Sequence, residues 1–121
     1  MLQAPAWFKD LFAAIDASDA KRFAGYMAPD GVFRFANAPP VHGRAAIEAA
    51  VAGFFATIRS SRHQLQRCWR DADSYAVQGT VTYTRIDGRE LTVPFVDVFV
   101  MRGEQIAEYL IYIDITPLYA A

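Results

Sequence analysis

The sequence has one cysteine, two histidines and no block of basic residues, which argues against a disulfide framework, a metal site and a nucleic-acid surface. Cys68 is the single cysteine, so no disulfide can form within the chain, and one thiol fits a reducing compartment. The two histidines, His42 and His63, are not spaced as a metal-binding pair, and no metal or cofactor is expected. Twelve Lys and Arg face 13 Asp and Glu without forming a basic block, which argues against a nucleic-acid partner.

A long uncharged stretch is also missing from the beginning of the chain. Lys9, Asp10, Asp16 and Asp19 fall within the first helix-like segment, so neither a signal peptide nor a membrane span is expected there. The 121 residues, 54% of them hydrophobic, are enough for one core and too few for two. We therefore expect one domain over residues 1–121, located in the cytoplasm and without a membrane partner.

Apolar residues recur at helical spacing in three segments of the first half of the chain. Helices are predicted over residues 4–19, over a shorter segment at 19–30, and over 43–60, where the apolar stripe covers four turns. Residues 31–35 read as a strand between the second and third helices. Residues 36–43 contain two prolines that cannot continue this strand, and they are predicted to be a loop.

From His63 onward the apolar period changes from that of a helix to that of a strand. Four antiparallel strands are predicted, over 63–71, 74–86, 89–101 and 105–115. Three helices followed by such a meander predict an α+β fold, in which the N-terminal helices pack on a strongly curved antiparallel sheet and give a cone-shaped barrel.

The third of these strands contains the apolar run VPFVDVFVM at residues 93–101, interrupted once by Asp97. An ionised carboxylate buried without partners is so costly that such a group is paired, hydrogen-bonded or held neutral. The opposite face of the same strand is apolar as well, whereas an antiparallel sheet with one wet face alternates. A second copy of the chain is the simplest cover for that face, which predicts a homodimer through the sheet.

Counting residues outward from the hairpin turn at 87–88 predicts the pairing of the central strands. A two-residue loop at this Asp-Gly pair places Gln78 opposite Asp97. The same count places Thr80 opposite Phe95, so all four side chains are expected on one face of the sheet.

The preceding hairpin extends this row of side chains to a third strand. If its tip lies at 72–73, Arg67 lies opposite Gln78, and Arg67, Gln78 and the acid form a polar row. His63 and Trp69 are expected on the same face, where His63 could act as an acid or base near neutral pH.

The polar row has two interpretations. In the first, Arg67 pairs with Asp97 and the ion pair only holds the sheet together. In the second, the helices stand away from the curved sheet, and Asp97 lies on the wall of an otherwise apolar small-molecule pocket. Further residues expected to line such a pocket are Tyr26, Phe33, Phe35, Phe54, Trp69, Thr80, Phe95 and Ile111.

Two stretches, PPVHGRAAIEAAVAGFF and VPFVDVFVMRGEQIAEYLIYID, resemble the SnoaL-like branch of the nuclear-transport-factor-2-like superfamily. This branch contains polyketide cyclases, ketosteroid isomerases and limonene-epoxide hydrolases, and the resemblance implies a curved sheet wrapped around a long helix. The hydrolase residues correspond to positions that lack the required side chains, so epoxide hydrolysis is not expected. Those positions are Phe33, Phe35, Gln78, Thr80 and Ile111.

The resemblance to ketosteroid isomerases places Asp97 at the position of the carboxylic acid that those enzymes keep protonated in their oxyanion hole. Their general base falls on or next to Phe35 and their oxyanion tyrosine lies near Leu11, so one of three residues is retained; His63 could replace the base. The resemblance thus implies a pocket for a small apolar cyclic or ketone-like molecule, with Asp97 and His63 catalytic in an isomerase or cyclase. The alternative is a non-catalytic ligand-binding or dimerisation module of the same fold.

Overall fold

The structure is a computed structural model and describes residues 4–120, which form three α-helices and one six-stranded sheet. The helices are α1 (Ala6–Asp16), α2 (Ala20–Ala24) and α3 (Arg44–Phe55). The strands are β1 (Met27–Phe35), β2 (Val41–His42), β3 (Ile58–Asp71), β4 (Ser74–Arg85), β5 (Glu90–Arg102) and β6 (Gln105–Ile113), followed by a short 3₁₀ turn at Thr116–Tyr119.

The strands follow the order β2-β1-β6-β5-β4-β3, and the sheet is curled without closing into a barrel. Strands β3 to β6 form the predicted antiparallel meander, whereas β1 runs parallel to β6. The α+β class, with three helices packed on a curved sheet, is confirmed.

Several element boundaries differ from the sequence prediction. Residues 19–30 were predicted to be helical, but α2 ends at Ala24 and β1 begins at Met27, four residues before its predicted start. Helix α3 ends at Phe55, five residues before its predicted end, and the next strand begins at Ile58 instead of His63. The Thr57 backbone N–H bonds the Phe54 carbonyl and its hydroxyl bonds the same oxygen at 2.7 Å, which closes the last helical turn. The apolar Ile58 fits the helical stripe equally well, so periodicity could not locate this end. Residues 41–42, predicted as loop, form the short strand β2.

The two faces of β5 have different surroundings. Its inward face is buried against the helices and contains Val93, Phe95, Asp97, Phe99 and Met101. Its outward face is half-buried or exposed and remains apolar, with Pro94, Val96, Val98 and Val100, and Tyr112 on β6 is 60% exposed beside Val96. The faces are thus as predicted, while the homodimer through the outward face stays a prediction.

The β4–β5 hairpin has a three-residue loop instead of the predicted two-residue loop. Arg85 and Arg89 close the hairpin through a 2.8 Å backbone bond, and Gly88 adopts a φ of +89° that favours glycine. This shifts the pairing by one residue, so Asp97 lies opposite Val77 and Gln78 lies opposite Val96. A shift of one residue turns every side chain to the other face. The prediction that Gln78 and Asp97 share a face was therefore wrong.

The same shift moves Thr80, which lies opposite Pro94, while Gly79 lies opposite Phe95. Thr80 therefore points outward, and its predicted pairing with Phe95 was also wrong.

The β3–β4 pairing changes register between Leu65 and Arg67. Arg67 lies opposite Gln78 as predicted, but both point outward, and Trp69 is on that side opposite Ala76. His63 lies before the irregularity, opposite Val81, and points inward. The prediction that Trp69 shares the face of His63 was wrong because such an irregularity reverses the alternation of the strand.

Gly79 lies opposite Leu65, next to the irregularity of the β3–β4 pairing, and the backbone of β3 approaches it closely. A Cβ atom built there would lie 2.2 Å from the Gln64 carbonyl oxygen, which belongs to the backbone and cannot rotate away. We expect Gly79→Ala to lower the free energy of unfolding by about 1–3 kcal/mol, measured by urea denaturation, because the two strands must separate.

The matched control for this substitution is Gly53→Ala in α3. A Cβ atom there meets no atom of residues 4–120 within 4 Å. Alanine at this helical position is expected to raise the free energy of unfolding by about 0.5–1 kcal/mol. Equal stability of the Gly79→Ala variant and the unmodified protein would contradict the close approach of the strands.

Candidate functional site

A cavity of about 430 Å³ lies between the inward face of the sheet and helix α3. Its wall is mostly apolar and aromatic, as is typical of small-molecule sites. Its exposed end lies at residues 36–39 and 114–116. The lining side chains include Phe33, Phe35, Phe54, Ser61, His63, Val81, Tyr83, Phe95, Asp97, Tyr109, Ile111 and Asp114.

Asp97 is the acid on this wall. It sits on β5 between Val77 of β4 and Ile111 of β6, and is 2% exposed. The Tyr109 hydroxyl donates a 2.8 Å hydrogen bond to Oδ2, whereas Oδ1 has no partner among residues 4–120. One oxygen of the carboxyl group is therefore fixed by the protein, and the other keeps an unused hydrogen-bonding position.

Burial raises the pKa of Asp97 to about 8, although the hydrogen bond from Tyr109 acts in the opposite direction. The group is therefore mostly protonated at pH 7. Because Tyr109 donates to Oδ2, the acid hydrogen is available on Oδ1. A neutral acid of this kind can donate a hydrogen bond to a ligand oxygen in the cavity.

Tyr109 is fully buried and its ring is held by other aromatic rings. The centroid of Phe99 lies 4.3 Å away and that of Phe33 lies 5.6 Å away. Burial, and then the neighbouring Asp97, raise the pKa of Tyr109 well above its ordinary value. Its hydroxyl therefore stays protonated and keeps donating to Asp97.

His63 lines the cavity and is oriented by Asp16, the last residue of α1. The His63 Nδ1 lies 2.5 Å from Asp16 Oδ1, and the His63 backbone N–H donates to Oδ2 at 2.9 Å. Ser61 adds a hydroxyl bond to Oδ1 at 3.1 Å, so three groups fix the carboxylate. Because a carboxylate accepts hydrogen bonds, Nδ1 carries the hydrogen and Nε2 has the free lone pair.

The rings of Phe12 and Phe95 lie 5.2 Å and 5.4 Å from the His63 imidazole, whose side chain is 10% exposed. An imidazole held in one tautomer by a carboxylate is the arrangement used by general bases. The cavity is thus lined by a carboxyl group that is mostly neutral at pH 7 and by an imidazole that a carboxylate orients.

The structure brings seven of the twelve predicted site residues to this cavity: Phe33, Phe35, Phe54, His63, Phe95, Asp97 and Ile111. Arg67, Trp69, Gln78 and Thr80 lie on the outward face and do not line it. The ion pair between Arg67 and Asp97 is therefore absent, since these side chains lie on opposite faces. Tyr26 lines a separate cleft. Roles in binding or catalysis stay predictions for all of these residues.

Sequence reasoning missed both polar partners. The alternation along β6 offered a signal for Tyr109, because Asp97 pairs with Ile111 and residues two apart share a face. Asp16 offered no such signal, because its contact with His63 spans 47 residues between a helix end and a strand.

Two features are missing from residues 4–120. No three His, Cys, Asp or Glu side chains come together as a metal site requires. In the same part of the chain, every helix is too short or too polar to cross a bilayer.

The family model for the SnoaL-like domain matches residues 8–109, and the chain belongs to this family. None of the curated proteins compared with the chain matches it.

Solved structures show the same fold at low sequence identity. A protein from Catenulispora acidiphila with a ketosteroid isomerase-like fold, crystallised with trimethylamine, is 20% identical, with a TM-score of 0.83 over 91% of this chain and 86% of its own. TerC, co-crystallised with polyporic acid, is 18% identical, with a TM-score of 0.80 over 93% and 92%. A protein from Jannaschia assigned to the SnoaL-like polyketide cyclases is 16% identical, with a TM-score of 0.75 over 98% and 94%.

Proposed function

We propose that this protein binds a small apolar cyclic ketone in the cavity. It removes a proton from the carbon next to the carbonyl group and returns it to the same carbon or to a conjugated one. One observation carries the proposal: the buried acid Asp97 leaves Oδ1 without a partner in a cavity that also contains an imidazole oriented by a carboxylate. The family and the assigned cyclase among its structural neighbours support a substrate of this class.

Asp97 is the electrophilic group of this proposal. Its Oδ1–H donates to the ketone oxygen while Tyr109 holds Oδ2 in place. The hydrogen bond strengthens as negative charge develops on that oxygen, so it stabilises the transition state more than the bound ketone.

His63 is the base. Its Nε2 removes the α-hydrogen; the electrons of the broken C–H bond form a C=C bond, and those of the C=O π bond move to the oxygen. The imidazolium formed is stabilised by Asp16 through Nδ1–H. Returning the proton to the same carbon exchanges the hydrogen, and returning it to a conjugated carbon isomerises the substrate.

The apolar wall favours a second candidate, a binding module without catalysis. Phe35 and Phe54 lie with their rings 4.7 Å apart on the wall, and Phe54 lies 5.9 Å from Tyr83. Such a wall can hold an apolar ligand whether or not the two polar groups react with it.

Exchange of α-hydrogens separates the two candidates without the natural substrate. With 2-decalone in D₂O, followed by proton NMR, we expect the protein to accelerate exchange above the buffer rate. Asp97→Leu should lower this acceleration by about 10²-fold, as expected when an oxyanion donor is lost. The control, Asp87→Asn, removes an exposed carboxylate from the β4–β5 turn and should leave the rate unchanged.

Saturable binding of 2-decalone without exchange would favour the binding module. If 2-decalone neither binds nor exchanges its hydrogens, the ketone-binding cavity itself is rejected.

The proposal also includes two features that follow from the sequence. The apolar outward face of β5 is proposed to pair with a second copy of the chain, and the protein is proposed to work in the cytoplasm.

A further inference from the structure

A second cleft, also of about 430 Å³, lies at the opposite end of β5 from the ketone cavity and shares no lining residue with it. It is bounded by the beginning of α1, the β3–β4 turn and the β5–β6 turn. The groups used below are Trp7, Tyr26, Arg70, Asp73, Tyr75 and Glu104.

Three half-buried aromatic rings form the inner part of this cleft. The Trp7 and Tyr26 centroids are 6.4 Å apart with planes inclined by 30°, whereas the Trp7 and Tyr75 rings meet at 88° with centroids 6.0 Å apart. Rings that present faces in different directions around one space can contact several sides of a rounded group.

The charges around the rings favour a cation. Asp73 and Glu104 are exposed, and neither forms an ion pair within residues 4–120, whereas Arg102 beside them is paired with Asp30. Two carboxylates and the single guanidinium of Arg70 leave one net negative charge at the cleft.

The Tyr75 ring already accepts a cation from the chain itself. The Arg70 Cζ lies 5.3 Å from the ring centroid, within the range in which the ring quadrupole attracts a positive charge. The Arg70 side chain is exposed and also bonds the Ala72 carbonyl, so it can move aside without loss of core packing.

From these contacts we infer that the second cleft binds a small methylated ammonium compound, whose methyl groups contact the Trp7, Tyr26 and Tyr75 rings while Asp73 and Glu104 face its charge. Methylated ammonium groups are the cations best suited to aromatic cages, because their charge is spread over an apolar surface. Arg70 competes with the ligand for the Tyr75 ring.

The intrinsic fluorescence of Trp7 provides the test. The chain has two tryptophans, so Trp69→Phe leaves Trp7 as the single reporter. We expect choline to change this fluorescence saturably, and its neutral isostere 3,3-dimethyl-1-butanol to bind at least about tenfold more weakly, because only choline carries the charge. Equal binding of the two compounds, or no saturable response to choline, would overturn the inference.

Variants of the two acidic residues test whether their charge contributes to choline binding. Both side chains are exposed, so the substitutions should leave the fold unaffected. Asp73→Asn and Glu104→Gln should each raise the Kd for choline about threefold to tenfold. Glu90→Gln, at the other end of β5, is the matched control and should leave the Kd unchanged. A similar increase in the Kd of all three variants would indicate a general effect of net charge and would overturn the assignment of the binding site to this cleft.

Removing Arg70, which competes with the ligand for the Tyr75 ring, should change the Kd for choline in the opposite direction. Arg70→Ser should lower the Kd for choline about threefold, whereas Arg62→Ser, an exposed arginine of the same strand, should not. Identical effects of the two arginine variants would contradict the competition at Tyr75.

Two further comparisons identify the source of the ligand and separate this site from the ketone cavity. The protein should not sediment with phosphatidylcholine vesicles. If it sediments with them in a way that requires Asp73 and Glu104, and does not respond to free choline, the assignment to a small molecule is overturned. Asp97→Asn should leave choline binding unchanged, so the ketone proposal can fail while this one holds.

Discussion

Replacing His63 with glutamine is expected to lower the protein-catalysed exchange of 2-decalone hydrogens by about 10²- to 10⁴-fold, the range for loss of a general base. Glutamine keeps a donor that can reach Asp16 but has no basic nitrogen for the α-hydrogen. The matched control is His42→Gln on the edge strand β2, which is exposed and outside the cavity lining. A rate within twofold of the unmodified protein would exclude His63 as the base.

Asp16 is a positioning residue in this scheme, because its carboxylate contacts His63 and not the substrate. Asp16→Asn should lower the exchange rate less than His63→Gln does, by about tenfold, because the tautomer and orientation of the imidazole are no longer fixed. The loss should appear in kcat and leave KM for 2-decalone unchanged. A purely structural Asp16 would reduce stability without lowering the kcat of the folded protein.

The longer elements of the fold could be predicted from their apolar periods, whereas the ends of α2 and α3 could not. The alternation of β5 gave the correct inward face, from Val93 to Met101, and the helical stripe gave α3. The pairing between strands was harder, because an Asp-Gly pair is compatible with both a two-residue and a three-residue loop. One residue of loop length decided whether Gln78 and Thr80 faced the cavity or the outside.

The candidate site was predictable where it depended on one strand and not where it depended on several. Asp97 interrupts an apolar run, so its burial was readable from local sequence, and the structure gives it 2% exposure. Its partner Tyr109 and the contact between Asp16 and His63 arise from packing between distant segments. No periodicity within a single element carries that information, so the acid was identified without its surroundings.

Asp97 is also expected to make the free energy of unfolding strongly dependent on pH. Asp97 has a pKa of about 8 in the folded protein against an ordinary value of 3.8. Between these two values the folded protein retains a proton that the unfolded chain releases, so rising pH favours unfolding. The free energy of unfolding should therefore fall by on the order of 4 kcal/mol between pH 4 and pH 7 from this group, and level off above its folded pKa.

Asp97→Asn isolates this contribution, because asparagine resembles the neutral acid and does not titrate. Its carbonyl oxygen can accept from Tyr109 and its amide can face the cavity, as the acid does. Urea denaturation from pH 4 to pH 8 should give similar stabilities at pH 4 and a growing advantage of the variant at higher pH. Other titrating groups are common to both proteins and cancel in the difference.

Asp30→Asn is the control of opposite sign. Its hydrogen bond with Arg102 lowers the pKa of Asp30, so that carboxylate stabilises the folded protein at neutral pH and loses its effect as pH falls. Asp30→Asn should therefore be less stable than the unmodified protein at pH 7 and approach it in acid. If the Asp97→Asn difference were constant across this pH range, Asp97 would be ionised in the folded protein. It could then not donate to a ketone oxygen, and the proposed chemistry would lose its acid even with the cavity intact.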